Sequence, residues 1–387
     1  MNKLSISSVI VLSSALVSVQ ALAIQTPGSI NTPSGIDYTP TVSLGVKKAE
    51  FNESLVTTLN PVVNASLLNG TNAYSGVVDL AIELDDKASR HNSVDLLLGV
   101  NGDFEIDATN FVSAALNVEF GHEDTLDTNP TGDITRLITP TLSGSYERIL
   151  NGTPGVVTVL ANLSDTTYTN FEDITDYSES TNFALGVVYS YEQDAQITYL
   201  TEASFETAKY KKDDPTGVKD SDTYNALVGV NFEASAVTTG EVKVGYLGKQ
   251  YENEDKSNFS GVSWTGLVNW APKSFSNYEF TTGFVVNDAT GAEDYVGETS
   301  IGALWSHDWN ADWSSKASID YTNENFEGID QKDDTFELNA TGYYSFIASS
   351  FKGDVSFGAT YTQFNTTGAT SAGTDEAVFI LGLDAML

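Results

Sequence analysis

The chain has 387 residues, with 18 Lys plus Arg against 53 Asp plus Glu, a formal net charge of −35 and no cysteine. That excess of acid excludes nucleic acid and anionic surfaces as partners, because those require clustered cations. The absence of cysteine means that the fold holds together without disulfides, even in a compartment where they form.

The first element is "MNKLSISSVIVLSSALVSVQALA", residues 1–23. Lys3, the apolar run from Val9 to Leu16 and the small-x-small Ala21-Leu22-Ala23 predict a secretory signal peptide cleaved after Ala23. Polar Ser13, Ser14, Ser18 and Gln20 keep the apolar run short of the roughly 20 residues that a spanning helix needs. Residues 24–37 are expected to form a periplasmic N-terminal segment. No composition shift or linker divides 38–387, which therefore reads as one domain.

From Tyr38 onward the pattern has a period of two. Val112, Ala114, Leu116, Val118 and Phe120 alternate with Ser113, Asn117 and Glu119. Phe183 to Tyr191, Ile197 to Phe205 and Tyr224 to Phe232 alternate in the same way. In "WTGLVNWAPKSFSNYEFTTGFVV", residues 264–286, Trp264, Val268 and Trp270 share one face while Thr265, Leu267 and Asn269 share the other. The chain then returns through a Pro-containing turn with Tyr278, Phe280 and Phe284 opposite Asn277, Glu279 and Thr281. Phe336 to Phe346 and Val355 to Tyr361 continue the theme, and "AVFILGLDAML" alternates to the C-terminus. A period of two with one apolar side marks β-strands between two environments.

The connections fall into two classes that take turns. Tight ones include "NGTN" at 69, "DATN" at 107, "QDA" at 193, "APKS" at 271 and "NAD" at 310. Longer, acidic ones include "EDTLDTNPTGD" at 123, "EDITDYSE" at 172, "KKDDPTGVKDSD" at 211, "ENEDKS" at 252, "DATGAED" at 288 and "ENFEGIDQKDD" at 324. Alternating short and long connections predict an all-β, up-and-down antiparallel transmembrane barrel of about 18 strands (16–18), with short periplasmic turns and longer outer loops.

Aromatic residues bracket the apolar band. Trp270, Trp305, Trp309 and Trp313 fall near the short turns, and Tyr251, Tyr295, Tyr321 and Tyr361 near the long loops. Rings with one polar edge settle at membrane interfaces, so these eight are the expected lipid-interface residues and outer-membrane lipid is the expected partner of the apolar face. "GLDAML" at the C-terminus is similar to the assembly signal read by the barrel insertion machinery, although it ends on Leu387 rather than an aromatic.

Several segments together resemble the β-barrel porin family of type 2 found among exopolysaccharide and capsule biosynthesis proteins. They are the opening "YTPTVSLGVKKAEFNES", the strand end "GLVNWAP", the Trp-rich turn "ALWSHDWNADW" and the late hairpin "DDTFELNATGYYSF". The resemblance implies an outer-membrane barrel serving polysaccharide export, with the polymer and other export components as partners. The segment before the last strand, "NTTGATSAGTDE", lacks the Arg common in that family, so no substrate contacts carry over.

Catalytic chemistry finds no foothold. "HEDTL" at His122 lacks the second histidine of a zincin, His91 falls with His122 in outer loops, and His307 sits among aromatic residues. No lipid-facing Ser, His and acid set and no Gly-x-Ser-x-Gly elbow occurs, so no enzyme, cofactor or metal centre is expected. The paired acids in the loops lack EF-hand spacing.

The period of two instead turns a set of acids inward: Glu119, Glu202, Glu206, Glu233, Glu279, Asp320 and Glu337, accompanied by few cations such as Lys243 and Lys316. A barrel of this size is wide enough for a water-filled lumen, where such acids either supply the polarity that any aqueous wall needs or set a negative field that favours cations. Three readings result: a channel or scaffold for exopolysaccharide or capsular polysaccharide export, a general or cation-preferring diffusion porin, and a receptor or structural barrel with a blocked lumen.

Overall fold

The computed structural model describes residues 30–31, 36–49, 55–87, 92–123, 134–212, 219–288, 293–348, 351–368 and 372–386. The signal-peptide stretch and His91 lie outside them. The strands are β1 (Ile30–Asn31), β2 (Ile36–Ala49), β3 (Leu55–Asn69), β4 (Asn72–Asp85), β5 (Ser93–Asp107), β6 (Asn110–Glu123), β7 (Thr135–Ile149), β8 (Gly155–Tyr168) and β9 (Ser180–Asp194). They continue as β10 (Ile197–Tyr210), β11 (Ser221–Ser235), β12 (Thr238–Tyr251), β13 (Phe259–Lys273), β14 (Ser276–Asp288), β15 (Tyr295–Asp308), β16 (Trp313–Phe326), β17 (Gln331–Ala348), β18 (Phe351–Gly368) and β19 (Ala372–Met386). One helical turn, α1 (Glu172–Thr175), interrupts the connection between β8 and β9.

Each strand from β2 to β19 pairs antiparallel with its neighbour in sequence, and β19 pairs back onto β2, Leu383 opposite Leu44. The sheet is thus a closed 18-strand meander with no free edge. Closure matters because an open edge carries unpaired N–H and C=O groups that hydrocarbon cannot satisfy. The two-residue β1 adds a short bridge to the start of β2, Ile30 opposite Tyr38.

The two ends differ as the alternation of connections predicts. One end carries turns such as Gly70–Thr71 and Ala195–Gln196; the other carries longer connections such as 169–179. In the first of these turns Gly70 has φ 65, a left-handed conformation that a side chain disfavours.

Three connections depart from expectation. Pro272 lies inside β13, and the turn after it is formed by Ser274 and Phe275. The acidic stretch from 324 is mostly strand: Phe326 pairs with Gln331, leaving only Glu327–Asp330 as the turn. The segment before the last strand likewise extends β18 to Gly368 and starts β19 at Ala372. Strands that project past the hydrocarbon band stand in water on both sides, so their polar composition imitates a loop.

Register assigns the two faces. Val268 opposes Phe280 and Gly240, and the same face runs through Val242, Val228, Ala303 and Ile319. Val100, Val228, Val262, Ile301, Phe357 and Phe379, all on this face, are each more than half exposed. An apolar surface of that extent is stable only when hydrocarbon covers it. The opposite face is concave, since side chains from strands two apart meet there: Tyr168 of β8 donates to Glu123 of β6 at 2.9 Å.

Candidate functional site: the charged inner wall

On the concave face of β16 and β17 polar side chains face one another, Ser318, Asp320, Thr322 and Glu324 opposite Asn339, Glu337, Thr335 and Asp333. All seven acids expected to point inward share the concave face by register. Glu119 stands opposite Leu97 and Thr139, Glu206 opposite Thr223, and Glu233 opposite Thr239. Glu279 stands opposite Asn269 and Leu304, while Asp320 and Glu337 face each other across β16 and β17. They are not gathered into one centre. They are spread around the wall on β6, β10, β11, β14, β16 and β17.

Glu202 differs from the rest because it is buried and ion-paired. Lys243 Nζ lies 3.1 Å from Glu202 Oε2 and 2.9 Å from Glu241 Oε1. The contact crosses β11, where Gly229 is the register partner of Lys243. A Cβ at Gly229 would collide with the Val242 carbonyl and crowd the Lys243 stem, so glycine leaves the path to Glu202 open. Lys249 is held similarly, 2.7 Å from Asp288 Oδ1. The other inward lysine expected from sequence, Lys316, lies over the Tyr343 ring at 5.9 Å.

By register Trp270, Trp305 and Trp313 share the outer face. Trp270 stacks on Tyr278 with centroids 5.1 Å apart, and Trp313 packs against Tyr344 at 4.9 Å. Trp305 and Trp309 enclose His307 at 5.4 and 4.3 Å. At the loop end Tyr295 meets Phe259, Tyr321 Oη donates to Asp334 Oδ1 at 2.6 Å, and Tyr361 is partly exposed on the outer face. Tyr251 is the exception. Its register partner is Ser221, it shares the face of Lys249 and Lys243, and it is only 8% exposed, so it stands inside the barrel rather than against lipid. Its position at a strand end could be read from sequence, but its face depends on parity counted from inside β12.

His122 also departs from expectation. It belongs to β6 rather than to a loop, and its Nδ1 lies 2.7 Å from Asp95 Oδ1 on β5. Sequence reasoning missed the inward acids Glu298, Glu324 and Asp333 as well. The alternation around them carries the signal, but the acidity from 324 onward reads as loop and conceals Glu324 and Asp333; Glu298 stands in a plain strand run.

A closed barrel with an apolar outer belt and an acid-bearing inner wall defines the outer-membrane porin class. The family described as "Putative beta-barrel porin 2" matches residues 49–385, and the chain belongs to that family. No curated protein sequence matches it. Among solved structures it is similar to OccK2 (OpdF) of Pseudomonas aeruginosa, at 9% identity and TM-score 0.54, covering 92% of this chain and 98% of that one. It is also similar to OccK5 (OpdH) of the same organism, at 10% identity and TM-score 0.51, covering 92% and 99%. The FrpB iron transporter from Neisseria meningitidis matches at 7% identity and TM-score 0.50, covering 91% and 82%. At these identities the likeness is one of fold, that of an outer-membrane barrel.

Proposed function

We propose that the protein is a passive diffusion channel of the outer membrane that prefers cations. The observation that carries this reading is the charge of the inner wall, where Glu119, Glu279, Asp320 and Glu337 have no ion-pair partner among the described residues while Lys243 and Lys249 are neutralised by carboxylates. Uncompensated carboxylates around an aqueous pore raise the local concentration of cations and repel anions.

The polysaccharide-export role rests on the resemblance of short sequence motifs alone. The acidic wall weighs against an anionic polymer, because every such carboxylate opposes its passage. Planar-bilayer recording on the purified barrel under a potassium chloride gradient tests the proposal. A reversal potential on the potassium side of zero is expected. Folded barrels that never conduct would favour the blocked-lumen reading instead.

A further inference from the structure

We infer that the inner wall holds a hydrated divalent cation, Mg²⁺ or Ca²⁺, at Glu298, Glu324 and Asp333. These residues form a continuous row across three strands: Glu298 of β15 is the register partner of Glu324 of β16, which is the partner of Asp333 of β17. Like charges placed directly opposite one another across strands destabilise a sheet, and adjacent strands are only about 4.8 Å apart. Here three stand in a line, and both outer members are buried, Glu298 at 5% and Asp333 at 7% exposure.

The protein supplies little to offset that charge. Asn287 Nδ2 donates to Glu298 Oε2 at 2.9 Å, and Gln331 Nε2 donates to Asp333 Oδ2 at 3.1 Å. Among the described residues no lysine or arginine forms an ion pair with any of the three. The second, independent observation is that the buried Asp333 Oδ1 has no hydrogen-bond partner at all. A buried carboxylate oxygen without a donor is costly, and a donor or cation outside the chain removes the cost.

The spread of the row decides the kind of ligand. Among the described residues no group of three or more His, Cys, Asp or Glu could by itself hold a metal ion. An ion that keeps most of its water and touches one or two carboxylates suits the row, which is how Mg²⁺ binds when no closed cage is available. The neighbouring row, Ser300, Thr322 and Thr335, offers hydroxyls to those waters. The inference rests on a wetted inner wall, which the channel reading also requires.

The test is calorimetric titration of the EDTA-treated, detergent-purified barrel with Mg²⁺ and then Ca²⁺, in wild type, D333N and the triple variant E298Q/E324Q/D333N. Saturable binding of one divalent ion is expected, at least tenfold weaker in the triple variant and unchanged in an E172Q control. Because the triple variant removes repulsion, it is also expected to unfold at a higher temperature than wild type in metal-free buffer, and Mg²⁺ is expected to stabilise wild type alone. No saturable binding at millimolar Mg²⁺, or equal binding by the triple variant, would overturn the inference. Conductance without binding would remove the site and leave the channel reading intact; binding without conductance would do the reverse.

Discussion

Lys243 reaches across a full strand to place its ammonium 3.1 Å from the buried carboxylate of Glu202. The intervening residue, Gly229, has no side chain to obstruct it. Removing the lysine leaves Glu202 desolvated and unpaired, a loss on the order of 1 to 3 kcal/mol. K243Q is therefore expected to lower the unfolding free energy in detergent by about that amount. The E202Q/K243Q double variant should recover much of it, since residues in contact are not additive. Additive losses in that double-mutant cycle would show that the pair contributes nothing specific.

Neighbouring residues of β13 separate the two faces. Val268 lies on the outer face opposite Phe280, and Asn269 lies on the inner face opposite Glu279. V268R is expected to impair assembly, since arginine on the lipid face costs from about 0–1 kcal/mol near the interface to about 2–4 kcal/mol at the midplane, whereas N269R gains a wetted acidic neighbour and is expected to be tolerated. Heat-modifiable gel mobility of membrane fractions gives the comparison. Equal impairment would mean that the faces are not distinguished as the register implies.

Selectivity should follow the unpaired acids. E119Q/E279Q/D320N/E337Q removes four carboxylates without touching the ion pairs of Lys243 or Lys249. The reversal potential under a salt gradient is expected to move toward the non-selective value. The difference from wild type should shrink at 1 M salt, where screening shortens to about 3 Å. E202Q alone should change selectivity less than E337Q, because Glu202 already has a lysine beside it. The opposite ranking in bilayer recordings would separate the pore field from these residues.

The tryptophans offer a test of the belt. Trp264, Trp270, Trp305 and Trp313 lie on the outer face, and Trp309 stands in the turn beside Trp305. The five together are expected to be quenched strongly by brominated phospholipid and weakly by aqueous iodide. Strong iodide quenching with no effect of bromine would place the belt in water.

How much of this was legible differs by residue. Glu279 and Asn269 could be assigned to the inner face from sequence because each lies within an unbroken run of alternation, and the irregularity between Trp270 and Lys273 falls outside both runs. His122 and Tyr251 could not, because each sits at a strand end where parity has to be counted from a boundary that composition does not mark. Glu324 and Asp333 were hidden by their surroundings: a strand extending past the membrane has polar residues on both faces.

Local chemistry determined the strands, the alternation of short and long connections, the apolar outer band and the sign of the wall charge. All of these follow from which side chains can stand in hydrocarbon and which require water. Tertiary structure alone decided the partners on the concave face. Closing eighteen strands brings residues tens of positions apart within hydrogen-bond reach, so that Lys243 finds Glu202 and Lys249 finds Asp288. It also lines up Glu298, Glu324 and Asp333 in one row. Those relationships depend on interstrand register and curvature, which the pairing of whole strands sets.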